Sequence, residues 1–395
     1  MKYAIVIPDG AADVALEELG RRTPLEAART PHMDRLSTIG KLGTVRTVPE
    51  GMDPGSDVAI LSVLGYDPRK YYSGRAPLEA AARGLELGPD EWVYRCNLVT
   101  IIDGVMEDHS AGHITTEEGA VLIAELNRRL GGERVRLHPG VSYRHLMTVA
   151  GKSGATTTPP HDILGQPVAS HMPRGPGREL LARMIDSSAS ILAEHEVNQV
   201  RRDLGENPAT HAWFWGGGKM PELPAFADRF GLRGASITAV DLIRGLSKLI
   251  GWDRIEVDGA TGFLDTNFAG KGAAAIEALT DHDLVFVHVE ATDEAGHQAD
   301  AAGKVKALGE IDRHIVGPLL SHLEAGKEDW RMMVLPDHPT PCPIRTHTAD
   351  PVPFAIAGTG VGNLVRRPFT EAAAESADLH IEHGWELMEY FLRAK

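Results

Sequence analysis

Three short apolar runs in this 395-residue chain each lead straight into residues that bind metal ions. Residues 3–7 lead to Asp9, Leu284–Val289 to Asp293 and His297, and residues 332–335 to Asp337 and His338, with His347 nine residues further on. Continuous apolar runs of this length read as strands buried on both faces of a parallel sheet. Open α/β sheets gather their ligand sites beyond the carboxyl ends of such strands. Strand-end placement therefore brings three aspartates and three histidines to one edge. One tetrahedral zinc does not need so many ligands. Two divalent ions with mixed oxygen and nitrogen ligands do, and such ligation admits manganese, zinc or cobalt, and magnesium less readily. Each residue also has a plainer reading: Asp9 as a loop-former before Gly10, His297 as a surface histidine, His338 as a polar neighbour of Pro339.

A dinuclear site usually positions a nucleophile, and Ser56 is the candidate. It lies where the Gly/Pro loop 49–57 opens into the apolar run 58–65, at a helix N-terminus whose dipole favours an anionic oxygen. The alternative is that Ser56 or Asp57 is only the N-cap. Asp293 and His297 stand at i and i+4, so one helical turn would set them on the same side; Gly296 weakens that helix. Pro336, Pro339, Pro341 and Pro343 keep the 336–343 segment out of helix and sheet.

The elements that must position these groups alternate strand and helix at both ends of the chain. Thr23-Pro24 and Thr30-Pro31 are helix starts, with Met33, Leu36 and Ile39 on one face of the second. Further strands are predicted at 44–48, 210–215, 235–240 and Ile255, and helices at 179–194, 273–279 and 305–320. Between 88 and 175 the character changes to short strands around one amphipathic helix capped by Thr115 or Thr116, which reads as an α+β insert. The predicted domains are a discontinuous core, 1–87 with 176–395, and an inserted domain, 88–175.

The net charge of −15, with no basic run, argues against a nucleic-acid partner. Local arginines or bound cations can still hold an anionic substrate. Cys96 and Cys342 are too few for a disulfide framework, which points to a reducing cytoplasm, and no window has the length and apolarity of a membrane span. Composition leaves the oligomeric state open.

The phrases IPDGAAD, TPLEAARTPHMD, EGMDPGSDVAILSVLGYDPRKYYSGRAPLEAA, HVEATDEAGH and PDHPTP…THTADPVPF resemble the archaeal-type cofactor-independent phosphoglycerate mutases of the alkaline phosphatase superfamily. The resemblance runs through nearly the whole chain, the insert included. It implies an α/β fold: an alkaline-phosphatase-like core with a largely parallel sheet between helices, plus a small inserted lid. It implies interconversion of 3- and 2-phosphoglycerate through a phosphoserine at Ser56, without a bisphosphoglycerate primer. Asp9, Ser56, Asp337 and His338 match the ligands of one ion; Asp293, His297 and His347 match those of the other. Manganese is the first choice of metal, with zinc, cobalt or magnesium as alternatives. Substrate contacts are expected from Arg144, His113, His161 and Asp162 in the insert and from Arg75 and Lys219 on the core side. A homoserine kinase-like phosphotransferase and a metal-dependent phosphatase are the competing activities on the same core. The partner expected is a small phosphorylated molecule, with no nucleic acid and no membrane.

Overall fold

A computed structural model describes residues 1–362 and 366–393. The chain forms two compact units: Met1–Tyr72 with Glu222–Lys395, and Ser73–Pro221.

The first unit is built on an eight-stranded sheet. Its centre is parallel: Lys2–Pro8 lies between Leu284–Val289 and Trp330–Val334, and Gly234–Ile237 follows on the far side of Leu284–Val289. Beyond Trp330–Val334 the pairing turns antiparallel through Val352–Gly358 to Lys41–Val45. The central strands are apolar throughout because both faces are covered. Along Lys2–Pro8, Ala4 and Val6 point into one apolar layer with Met33, Leu36, Ala275, Ala307 and Leu308. Tyr3, Ile5 and Ile7 point into the other, with Ile60, Leu61, Ile243, Leu246 and Met388. This is the period-2 geometry of a strand sandwiched by helices, so the predicted α/β core is present.

Local expectations hold with shifts at several ends. Pro24–Ala27 starts with a Thr23/Glu26 capping box, and Pro31–Ile39 carries proline at its first position. Met33 and Leu36 are buried, but Ile39 is exposed. The predicted 44–48 strand sits three residues earlier, at Lys41–Val45. Ile255 lies outside any strand.

The second unit is wider than the expected insert. Its five-stranded sheet runs Val105–Asp108, Glu91–Ile102, Arg144–Ala150, Val135–Val141, with His211–Gly218 also pairing with Glu91–Ile102. His211–Gly218 and the helix Arg178–Ala193 were expected in the core. They belong here because Trp213, Phe214, Leu181 and Ile185 complete the same apolar cluster as Leu98, Leu122 and Met147. The boundary therefore falls at 73 and 221, well outside 88 and 175. Single-strand periodicity cannot say which sheet a strand joins.

One buried ion pair pins the proline loop of the first unit. Lys304 Nζ lies 2.8 Å from Asp13 Oδ2 and 2.8 Å from the Thr340 carbonyl, and neither charged side chain reaches solvent. Asp13 also accepts the Cys342 N–H. Removing one partner leaves an unpaired buried charge, which costs far more than the intact pair contributes. Lys304→Met should lower unfolding stability by about 3–5 kcal/mol in urea titrations; a loss under about 1 kcal/mol would show that this clamp does not hold the loop.

Candidate metal centre and active site

All seven residues expected to hold metal meet at the carboxyl edge of the central sheet. Asp9 follows Lys2–Pro8, and Asp337 and His338 follow Trp330–Val334. After Leu284–Val289 the chain enters the helix Ala291–His297, regular despite Gly296, which puts Asp293 and His297 one turn apart. Gly296 is there for space: a Cβ would come within 2.4 Å of the Thr340 carbonyl. Gly10 has φ +61°, and a Cβ on it would lie 2.5 Å from both Asp293 Oδ1 and Thr340 Oγ1.

Ser56 is the first residue of the helix Ser56–Val63, and Gly55 occupies the N-cap. The alternative in which Ser56 or Asp57 is the N-cap is therefore corrected: Gly55 holds that position, and Asp57 accepts the Val58 N–H from within the first turn. The Ser56 hydroxyl instead faces the cluster, 3.4 Å from Asp9 Oδ2 and 3.2 Å from His338 Nε2. His338 Nε2 lies 3.6 Å from Asp9 Oδ1 and 3.5 Å from Asp337 Oδ2. Ligands about 2.1 Å from one tetrahedral ion stand roughly 3.4 Å apart, so these four groups have the spacing of a ligand shell. Asp9 Oδ1 and Asp337 Oδ2 are buried without a hydrogen-bond partner, as buried carboxylates are when a cation completes them.

The second group makes the same case through its protons. His297 Nδ1 lies 3.0 Å from the Arg345 carbonyl and His347 Nδ1 lies 3.3 Å from the Pro54 carbonyl. A carbonyl only accepts, so both Nδ1 atoms carry hydrogen and the neutral rings offer lone pairs at Nε2. Those two Nε2 atoms are 2.9 Å apart, and His297 Nε2 is 3.1 Å from Asp293 Oδ2. Two facing lone pairs at that distance need a proton or a cation between them. The residues thus fit divalent ions in both groups.

The electrostatics agree. Burial, then the charges of Asp337 and Asp293, push the Asp9 carboxyl well above its usual range. Burial opposes ionisation of Asp293, but hydrogen bonds from His297 and His347 outweigh it and hold that carboxyl well below its usual range. The bond to Asp293 raises His297 to about 9. Among the described residues, the ion-pair partners of Asp9, Asp293 and Asp337 are all histidines.

His288 was not anticipated. Buried in the middle of the sheet, it places Nε2 3.0 Å from Asp9 Oδ2, with Nδ1 3.3 Å from Thr238 Oγ1. Burial lowers it to about 4, so it is neutral at neutral pH. Lys271, also fully buried, reaches its carbonyl at 3.2 Å. The available signal was one histidine inside an otherwise apolar strand.

The six expected substrate residues all fall in the second unit. Arg75 and Lys219 were expected on the core side; both lie within Ser73–Pro221, because their segments pack on its sheet. Lys219 Nζ is taken up by the Pro89 carbonyl and Asp90. His113 and Asp162 are exposed, and His113 adopts φ +50°. His161 packs 5.2 Å from Trp215 and 6.1 Å from His109, and Arg144 lies over Tyr143. Loss of hydration lowers His161 to about 4, opposed by Asp162 and helped by Arg95, His109 and Arg75. Arg95, unanticipated, is buried over the Trp215 ring and paired with Glu79 at 3.2 Å. Arg75, Arg95 and Arg144 lie here with neutral imidazoles and aromatic rings, and Glu79 pairs with two of the three guanidinium groups.

The family profile described as 2,3-bisphosphoglycerate-independent phosphoglycerate mutase matches residues 38–198. A mutase of that name from Methanothrix thermoacetophila is 52% identical across 99% of this chain and all of its own. The chain belongs to this family. A probable mutase of the same kind from Geobacter sulfurreducens is 48% identical over 99% of the chain and all of its own. A solved Pyrococcus horikoshii protein covers 99% of the chain and 96% of its own at 30% identity, with a TM-score of 0.84. The cofactor-independent phosphoglycerate mutase from Thermoplasma acidophilum covers 99% of both chains at 27% identity, with a TM-score of 0.68. The fold and the family therefore agree with the expectation drawn from the motifs.

In the metal-free protein the bond to Asp293 raises His297 to about 9, so its Nε2 keeps a proton through neutral pH. A metal must displace that proton. Manganese binding at pH 7.5 should release protons, seen as a buffer-dependent calorimetric enthalpy, and apparent affinity should rise with pH until about 9. The stabilisation of the metal-free fold by the imidazolium–Asp293 pair runs the other way: it is full below the ordinary histidine pKa and lost as pH rises through about 9. Affinity flat from pH 6 to 9 would contradict a proton held on His297 by Asp293.

Proposed function

We propose that this protein is a metal-dependent phosphoglycerate mutase, an isomerase that interconverts 3-phosphoglycerate and 2-phosphoglycerate through a phosphoserine at Ser56. The observation that carries the reading is the Ser56 hydroxyl, at a helix N-terminus and turned onto the Asp9–His338 cluster instead of capping its helix. The relatives compared are named mutases, which favours this activity over the homoserine kinase-like and phosphatase alternatives.

In this reading Asp9, Ser56, Asp337 and His338 hold one divalent ion and Asp293, His297 and His347 the other, with manganese the first candidate for both. When bound, such ions lower the serine hydroxyl pKa and neutralise the oxygens of the phosphoryl group in transfer. Ser56 Oγ attacks the phosphorus of 3-phosphoglycerate and the bond from phosphorus to the C3 oxygen breaks, leaving glycerate. The C2 hydroxyl then attacks the phosphoserine, and the bond from phosphorus to Ser56 Oγ breaks. The helix dipole at Ser56–Val63 favours the anionic oxygen in both steps. No bisphosphoglycerate takes part. The guanidinium groups of Arg75, Arg95 and Arg144, with the neutral His161 ring beside them, give the Ser73–Pro221 unit the chemistry to select an anionic, hydroxylated substrate. The setting we assign is the cytoplasm; among the described residues no helix is long and apolar enough to cross a membrane.

Purified protein loaded with manganese and given 3-phosphoglycerate, without bisphosphoglycerate, should form 2-phosphoglycerate and no free phosphate. EDTA should abolish the conversion, and Ser56→Ala should lower kcat by at least about a thousandfold. Phosphate release alone would assign a hydrolase, and ATP-dependent phosphorylation of homoserine without isomerisation would overturn the mutase. Arg144 is exposed, so Arg144→Ala should fold normally; it should raise KM roughly 10- to 100-fold, the worth of one charge-assisted bond, with a smaller change in kcat. An unchanged KM would remove Arg144 from the substrate site.

A further inference from the structure

Thr340 is fully buried between the two groups of metal-binding residues. Its hydroxyl donates to Asp293 Oδ1 and lies 3.3 Å from His338 Nδ1. A hydroxyl has one hydrogen. The Asp293 carboxylate is ionised and can only accept, so the hydrogen goes there. The contact with His338 must then run the other way, with Nδ1–H donating to Thr340 Oγ1. His338 Nε2 is left as a lone pair, and this is the atom that faces Ser56, Asp9 and Asp337.

The rest of Thr340 is fixed as firmly. Its N–H lies 3.3 Å and 3.2 Å from the Gly10 and Ala12 carbonyls, and its own carbonyl accepts from the buried Lys304 ammonium at 2.8 Å. Gly10 and Gly296 both omit a Cβ that would collide with it. A fully buried side chain in contact with one candidate ligand in each group links the positions of the two.

We propose that Thr340 is a positioning residue that couples the two metal positions, orienting Asp293 for one and setting the tautomer of His338 for the other. The inference rests on the two-ion reading above. It differs from an ordinary outer-shell role in predicting that one substitution weakens both ions.

The test is a manganese titration of the full-length, metal-stripped protein by calorimetry, with stoichiometry checked by elemental analysis. Thr340→Val keeps the volume and removes the hydroxyl; both affinities should fall 10- to 100-fold, the usual effect of losing an outer-shell partner. Thr340→Ser restores the hydroxyl and should return both toward wild type, which a purely packing role would not do. Thr340→Ala gives the same readout should valine not fold at this crowded position. Wild-type affinity at both positions, or loss at one only, would overturn the coupling while leaving the two-ion site standing. A wild-type protein that binds fewer than two ions would overturn the two-ion reading, and the coupling with it.

Discussion

Three carboxylates, those of Asp9, Asp293 and Asp337, are almost completely buried at the ends of three adjacent parallel strands. Like charges at this spacing in a low-dielectric interior repel strongly. No lysine or arginine among the described ion pairs offsets them. The sheet, the short helix at Ala291–His297 and the proline loop bring the three together and surround them with imidazoles. The arrangement is unfavourable without cations and favourable with them, so stability given up at this edge becomes affinity for metal.

Rigidity around the carboxylates comes from groups that never touch substrate in the proposed reaction. Lys304 and Asp13 hold the loop backbone, and Thr340 and His288 each touch a ligand side chain. Glycine at 10 and 296 lets backbone and side chain approach where any Cβ would intrude. Such outer partners set ligand orientation and tautomer. Carbonyls from Pro54 and Arg345 do the same for His347 and His297, and Arg345 holds a left-handed φ of +56°, the kind of backbone strain retained at functional sites.

The second unit uses different physics. Its cluster around Trp215 sets the His161 ring edge-on to the indole and buries the Arg95 guanidinium over it, paired with Glu79. Arginine serves here because its planar cation stacks on rings while still offering donors to an anion. The first unit thus gathers buried carboxylates among imidazoles, and the second gathers guanidinium groups among aromatic rings.

The sequence alone was enough for the α/β class, the buried central strands and the convergence of Asp9, Ser56, Asp293, His297, Asp337, His338 and His347 at one sheet edge. Local rules suffice for these: an apolar run of strand length must be covered on both faces, and ligands at strand ends must converge. The motifs were equally enough for the family. Tertiary structure alone decided where the chain divides, because a strand such as His211–Gly218 carries no mark of the sheet it joins. It alone showed that Gly55, and not Ser56, is the N-cap of the helix Ser56–Val63. It also revealed His288, Thr340, Lys304 and Arg95, whose roles depend on partners 47 to 291 positions away or across a sheet. A buried polar side chain takes its meaning from the atom it faces, and that atom is chosen only when the chain has folded.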